Sequence, residues 1–207
     1  MIRAITCFAL FICSLLSAQS QYEQGMQKAF ELWSGEKNTE ALAMFERIAA
    51  AEKNNWLPGY YVALMNTTQA FGTKDKDKLS ALLGKAQAAQ DKIALIAPDN
   101  AEVMVMQALI YTAWISADPM SNGMNLSGKV KELYAKASKI APDNPRVVFS
   151  KAEFEMGSAA YFKQDTKPMC EQIEKAIGLF ATYKSPGTFH PKWGLERAQE
   201  AAKNCKK

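Results

Sequence analysis

Few residues in this chain could do chemistry. The one histidine, His190, lies in Thr188-Phe189-His190-Pro191. A nucleophilic or acid–base centre needs a base within hydrogen-bond reach of a nucleophile and a third group to orient it. A lone histidine before a proline reads instead as a residue that caps or packs against a helix beginning at Pro191. Glu153 and Glu155 are two apart on a predicted helix and so point to different faces. The chain has no Gly-x-Ser-x-Gly, no phosphate-cradling loop and no dinucleotide fingerprint. Of the four cysteines, Cys7 and Cys13 fall in a segment that reads as a signal peptide, and the one histidine with the two that remain, well-separated Cys170 and Cys205, cannot assemble a zinc site from soft ligands. The expectation is a protein without catalytic residues, cofactor or metal.

Cys170 and Cys205 read as one disulfide, with two unpaired thiols as the alternative. In the chain-entropy picture, a bridge closing a loop of this length stabilises by roughly 3 to 4 kcal/mol. The aromatic residues offer more for recognition. Trp56, Tyr60, Tyr61, Tyr111, Trp114 and Tyr161 fall on predicted helices whose stacking would leave a concave surface, and they are the candidate contacts for a partner.

The elements that must position these residues are all helical. Ala, Leu, Lys, Gln, Glu and Met recur with apolar positions three and four apart, and nothing alternates as a strand would. Tyr22 to Trp33 predicts a first helix, closed at Ser34-Gly35 by a glycine free to take the left-handed conformation. Asn38 or Thr39 is expected to cap a second, with Ala41, Leu42, Phe45, Ile48 and Ala49 on its apolar face. Pro58 suits the first turn of a third helix running to about Phe71, and a fourth spans about Lys76 to Ile96. A fifth, about Ala101 to Ile115, is apolar nearly all round and belongs in the middle of a stack.

Asp118-Pro119, Asn122-Gly123 and Ser127-Gly128 are turn signals, so 116–128 reads as the longest loop, carrying Met120 and Met124. Four more helices are expected at about Lys129 to Ala141, Pro145 to Phe162, Pro168 to Tyr183 and Pro191 to Cys205.

Ile96-Ala97-Pro98-Asp99-Asn100 recurs letter for letter as Ile140-Ala141-Pro142-Asp143-Asn144. Each copy follows an Ala- and Lys-rich helix and precedes another. Proline stops the first helix, the Asp-Asn pair turns the chain and caps the next, and the two rods pack antiparallel. The pattern resembles a tetratricopeptide repeat. Ala108 and Tyr111 fall on its first-helix small and aromatic positions, Tyr134 and Ala137 on its second-helix aromatic and alanine, and Ala41 and Phe45 match in the first hairpin. The two prolines are 44 residues apart, where that repeat is about 34. Glu155 and Gln90 stand where it wants aromatics.

The resemblance implies an all-α fold of about eight to nine helices, antiparallel hairpins stacked as a short α-solenoid. With the Leu32-Trp33-Ser34-Gly35-Glu36 turn and the Trp56 to Tyr61 segment, the chain also resembles small exported repeat proteins of the Bacteroidetes type.

Residues 1–18 read as a signal peptide: Arg3, an apolar run from Ala4 to Leu16, then Ser17 and Ala18. A lipid anchor at Cys13 is the competing reading, opposed by bulky Ile12 before it. Cleavage near Ala18 leaves 19–207 as one repeat domain, periplasmic or secreted, with no membrane span. The formal charge of +4 is too mild to serve as a footprint for nucleic acid or an anionic membrane. The function these observations imply is an exported, non-catalytic scaffold with a concave groove for a protein or peptide partner. The alternative is a carrier enclosing a small apolar ligand between the fifth helix and the Met-bearing loop.

Overall fold

Polar side chains at turns decide where most of the helices begin. The computed structural model describes residues 21–205, and the signal-peptide reading lies outside them. Nine helices occupy the described residues, with no strand among them: α1 (21–34), then α2 (Asn38–Ala51), α3 (Trp56–Phe71), α4 (Lys76–Ile96), α5 (Ala101–Ala117), α6 (Pro119–Ile140), α7 (Pro145–Tyr161), α8 (Lys167–Thr182) and α9 (Leu195–Asn204). Asn55, Asp75, Asn100, Asp118 and Asn144 each accept a hydrogen bond from a backbone N–H in the first turn of the helix that follows. Such a cap is worth about 1 kcal/mol.

From α2 onward each helix packs on the next, and α3, α5 and α7 also touch in series. That is the arrangement of antiparallel hairpins stacked side by side. The expected all-α stack is therefore observed. At its centre, α3 is buried continuously from Leu57 to Thr67. Gly59 allows this closeness, because a Cβ there would come within 2.6 Å of Ile93 Cγ2 on α4. Polar residues survive in α3 because Asn66, Thr67 and Thr68 donate to the carbonyls of Val62, Ala63 and Leu64, each at 2.8 Å.

Four local expectations are corrected. Gly35 does not take the left-handed conformation; Glu36 does, at φ 60°. Neither Asn38 nor Thr39 caps α2, which is preceded by Lys37 with no side-chain cap. The loop 116–128 is almost wholly helix: Asp118 accepts from Ser121 N, Pro119 occupies the first turn, and α6 continues through Gly123 and Gly128 to Ile140. Met120 and Met124 thus stand exposed on its first turns.

The last helix begins at Leu195, leaving 183–194 as an irregular strap. Gly194 explains the late start. It sits at φ +114°, where a side chain is strained, and a Cβ there would meet Phe180 Cζ at 2.7 Å. Cys170 of α8 and Cys205 beyond α9 are bridged, with Cα atoms 5.8 Å apart, as expected from the cysteine arithmetic.

Candidate functional site: an aromatic groove under a strap

The strap runs back across the stack and is pinned at three places. At its start the Tyr183 ring covers the Arg146 guanidinium, 4.8 Å from the ring centroid. In its middle the Phe189 carbonyl accepts from the Tyr61 hydroxyl at 2.8 Å, while the Phe189 ring stacks on Phe30 at 6.0 Å and meets the Tyr22 edge at 5.7 Å. Near its end Trp193 Nε1 donates to the Tyr60 hydroxyl at 2.8 Å. These contacts join the last part of the chain to α1 and α3.

Beside these pins lies a groove of about 350 Å³, near the lower end of the range for small-molecule sites. Phe30, Trp33, Tyr61, Phe189 and Trp193 form its apolar walls. Their orientations are fixed by edge and face contacts, such as Phe30 with Tyr61 at 4.7 Å and Trp33 with Tyr61 at 6.0 Å. The polar groups are Gln27, Thr188, His190 and Lys192. Such a lining can hold a flat apolar molecule against aromatic surface, with Lys192 beside it to meet an acidic group.

The His190 ring is half-buried and lies edge-on to Trp56, 5.5 Å between centroids. Burial pushes its pKa below the ordinary histidine range; Glu102 opposes the shift and Arg146 adds to it. The neutral imidazole is therefore favoured at pH 7. Burial likewise pushes the Tyr60 and Tyr61 hydroxyls well above the usual phenol range, so both remain protonated hydrogen-bonding groups.

Behind the groove is a buried ion pair. Arg146 Nε donates to Glu102 Oε1 and Oε2 at 2.8 and 2.9 Å, its Nη2 donates to Oε1 at 2.6 Å, and the Asn144 amide donates to the same Oε1 at 2.6 Å. Burial by itself lowers the Arg146 pKa, but the hydrogen bonds and charge of Glu102 raise it, so the guanidinium stays charged. The pair is the seat on which Tyr183, and with it the start of the strap, rests.

A wider hollow of about 800 Å³ lies between α1 and α2, lined by Lys28, Glu40, Glu46 and Arg47 among aliphatic side chains. It has no aromatic wall and no converging polar set, so its size does not make it the better site.

The sequence matches no protein-family model and no curated protein. Among solved structures it is similar to the HusA haemophore from Porphyromonas gingivalis, with a TM-score of 0.76 at 24% identity, covering 89% of this chain and 92% of that one. The likeness is one of fold. It supports repeated helical hairpins among the described residues and does not extend to the tetratricopeptide family itself.

The six aromatic residues singled out from sequence do not gather in one open groove. Tyr60 and Tyr61 are interior, 0% and 3% exposed, and lie beneath the strap. Trp56 is half-buried between Tyr60 and His190. Tyr111 packs by the second core cluster under Lys129, and Trp114 borders the first. Tyr161 is exposed, with its hydroxyl 3.7 Å from Met120 Sδ.

Sequence reasoning missed the groove walls Phe30, Trp33 and Phe189 and the pins of the strap. One signal was present: Thr188-Phe189-His190-Pro191-Lys192-Trp193 crowds aromatic and basic residues between Gly187 and Gly194 without helical periodicity. His190 was read as the lead-in to a helix at Pro191; it belongs to the strap instead.

Proposed function

We propose that this chain is an exported, non-catalytic carrier of a flat, largely apolar ligand bearing acidic groups, with haem the leading instance. The observation that carries the reading is the groove itself: five aromatic walls, with one ammonium and one neutral imidazole among its few polar groups. The fold it shares with a chain named as a haemophore supports the same choice. Export is supported by the basic and apolar character of residues 1–18 and by the Cys170–Cys205 bridge, the chemistry of an oxidising compartment.

The scaffold reading needs Trp56, Tyr60, Tyr61, Tyr111, Trp114 and Tyr161 on one open surface, and they do not gather there. The carrier reading uses the residues that do line one groove, Tyr61 among them. It also moves the ligand away from the space between α5 and the Met-bearing segment, which has become the first turns of α6.

Trp33 and Trp193 line the groove, so tryptophan fluorescence reports occupancy directly. Titration of the purified protein with ferric haem is expected to quench that fluorescence saturably at one ligand per chain. Phe30→Ala, which removes one stacking wall, is expected to weaken binding by roughly tenfold, the equivalent of about 1.4 kcal/mol. Linear, unsaturable quenching that the substitution does not change would remove the proposal.

A further inference from the structure

Among the described residues seven large apolar side chains stand exposed, and five of them collect at one end of the stack: Phe71, Met120, Met124, Tyr161 and Phe162. The other two, Leu95 and Ile140, lie at the far ends of α4 and α6. The shared end is where α3, α5 and α7 finish and α4, α6 and α8 begin. Met120 and Met124 are one turn apart on one face of α6. Tyr161 reaches across from α7, its hydroxyl 3.7 Å from Met120 Sδ, and its ring meets Phe162 edge-on at 5.1 Å. These side chains form an apolar patch, where scattered single residues are the ordinary case on a protein surface.

Five lysines share this end: Lys74, Lys76 and Lys78 around the start of α4, and Lys163 and Lys167 around the start of α8. All are exposed, and among the described residues none of them makes an ion pair. Their acidic neighbours are engaged at helix starts. Asp75, Asp118 and Asp165 each accept from backbone N–H at the head of a helix, and Asp77 lies in the first turn of α4, where the helix dipole offsets negative charge. Hydrogen bonding to Ser121 holds the Asp118 carboxyl below its ordinary range, and the charge of Lys76 adds to the shift, so the starts of α4 and α6 face each other. Lys163 sits at φ 55°, a conformation that favours glycine, and it sets an ammonium directly after Phe162.

We infer that this end of the stack docks on an anionic phospholipid surface. The aromatic and methionine side chains enter the boundary between headgroups and acyl chains, and the lysine stems reach past them to place ammoniums at lipid phosphates. A second copy of the same end would set lysines against lysines, whereas a negatively charged lipid sheet satisfies the apolar patch and the free ammoniums together. The mild formal charge of the whole chain hides this local concentration. None of these residues lines the aromatic groove, so the inference is independent of the carrier reading.

The test uses residues 19–207, which contain every described helix and lack the apolar run 4–16 that would itself enter lipid. Co-sedimentation with vesicles of phosphatidylcholine mixed with phosphatidylglycerol is compared with co-sedimentation with phosphatidylcholine alone. The expected result is binding about tenfold tighter to the mixed vesicles, weakened by added salt. Met124→Ser with Phe162→Ser should weaken that binding about tenfold, while Leu95→Ser with Ile140→Ser, at the opposite end, should leave it unchanged. Lys163→Gly relieves the left-handed backbone, so it should keep or raise Tm while weakening binding about threefold, which separates contact with lipid from folding. No binding to the mixed vesicles, or equal losses from the two double substitutions, would overturn the inference. So would a concentration-dependent dimer of the free protein that Met124→Ser with Phe162→Ser abolishes, because a second copy would then cover this end.

Discussion

The two copies of Ile-Ala-Pro-Asp-Asn, at 96–100 and 140–144, do the same local work and different work at a distance. In each, the asparagine side chain accepts the backbone N–H two residues on at 2.9 Å, and the two asparagines have nearly the same extended backbone, φ −92° ψ 119° and φ −73° ψ 118°. The copies part immediately afterwards. The first continues into Ala101-Glu102 and the second into Pro145-Arg146, and the carboxylate of one meets the guanidinium of the other in the interior. Only Asn144 adds a second bond, to Glu102. Identical turns thus set the helices going, and an unlike pair of charges two residues later ties the start of α5 to the start of α7. Because Tyr183 rests on Arg146 and on nothing equivalent in the first copy, the second turn also anchors the strap.

The sharpest way to break this asymmetry is to remove one charge. Arg146→Met leaves Glu102 buried without its partner, which is expected to cost about 3 to 5 kcal/mol. That corresponds to a fall in Tm of roughly 10 °C for a domain of this size. Adding Glu102→Met in the same chain should recover most of the loss. Thermal unfolding followed by circular dichroism reads both, and a single variant as stable as the double would show that the pair does not hold α5 to α7.

Next in size, Cys170→Ser with Cys205→Ser should cost about 3 kcal/mol by releasing the loop that contains the strap. The strap amides, which have no counterpart after the first turn, should then exchange hydrogen faster than those of α5. Two reactive thiols in a chain of residues 19–207, which lacks Cys7 and Cys13, unfolded without reductant, would contradict the bridge. The smallest effect sharpens the comparison most: Asn100→Ala should cost about 1 kcal/mol as a lost cap, and Asn144→Ala about 2 kcal/mol because it also strips a hydrogen bond from a buried carboxylate. Equal costs would mean the two turns are energetically alike after all.

Features set within a few residues were legible in the chain. Both ends of α4 were, because Asp75 and Pro98 bracket it, as were the Asn100 and Asn144 caps and the all-helical class, while the bridge, 35 residues apart, followed from the count of cysteines. The first turns of α6 were not. Asn122-Gly123 and Ser127-Gly128 favour turns locally, but Asp118 supplies a cap and Asn122 donates its amide to the Trp114 carbonyl, so the helix carries through both glycines. Helical spacing placed Tyr60 and Tyr61 on α3 without saying that both would be enclosed.

The groove was the least legible part. The bonds that shape it join Tyr61 to Phe189 and Tyr60 to Trp193, 128 and 133 residues apart, and no local pattern encodes pairings at that range.

The Cys170–Cys205 bridge makes a covalent circle out of α8, the strap and α9. The strap is the irregular part of that circle and so the part a protease would find first. One cut between Tyr183 and Gly194 opens the circle without freeing either side, since α9 stays sulfur-linked to the start of α8. In surroundings rich in proteases, a nicked molecule would therefore gain one water and lose no residue.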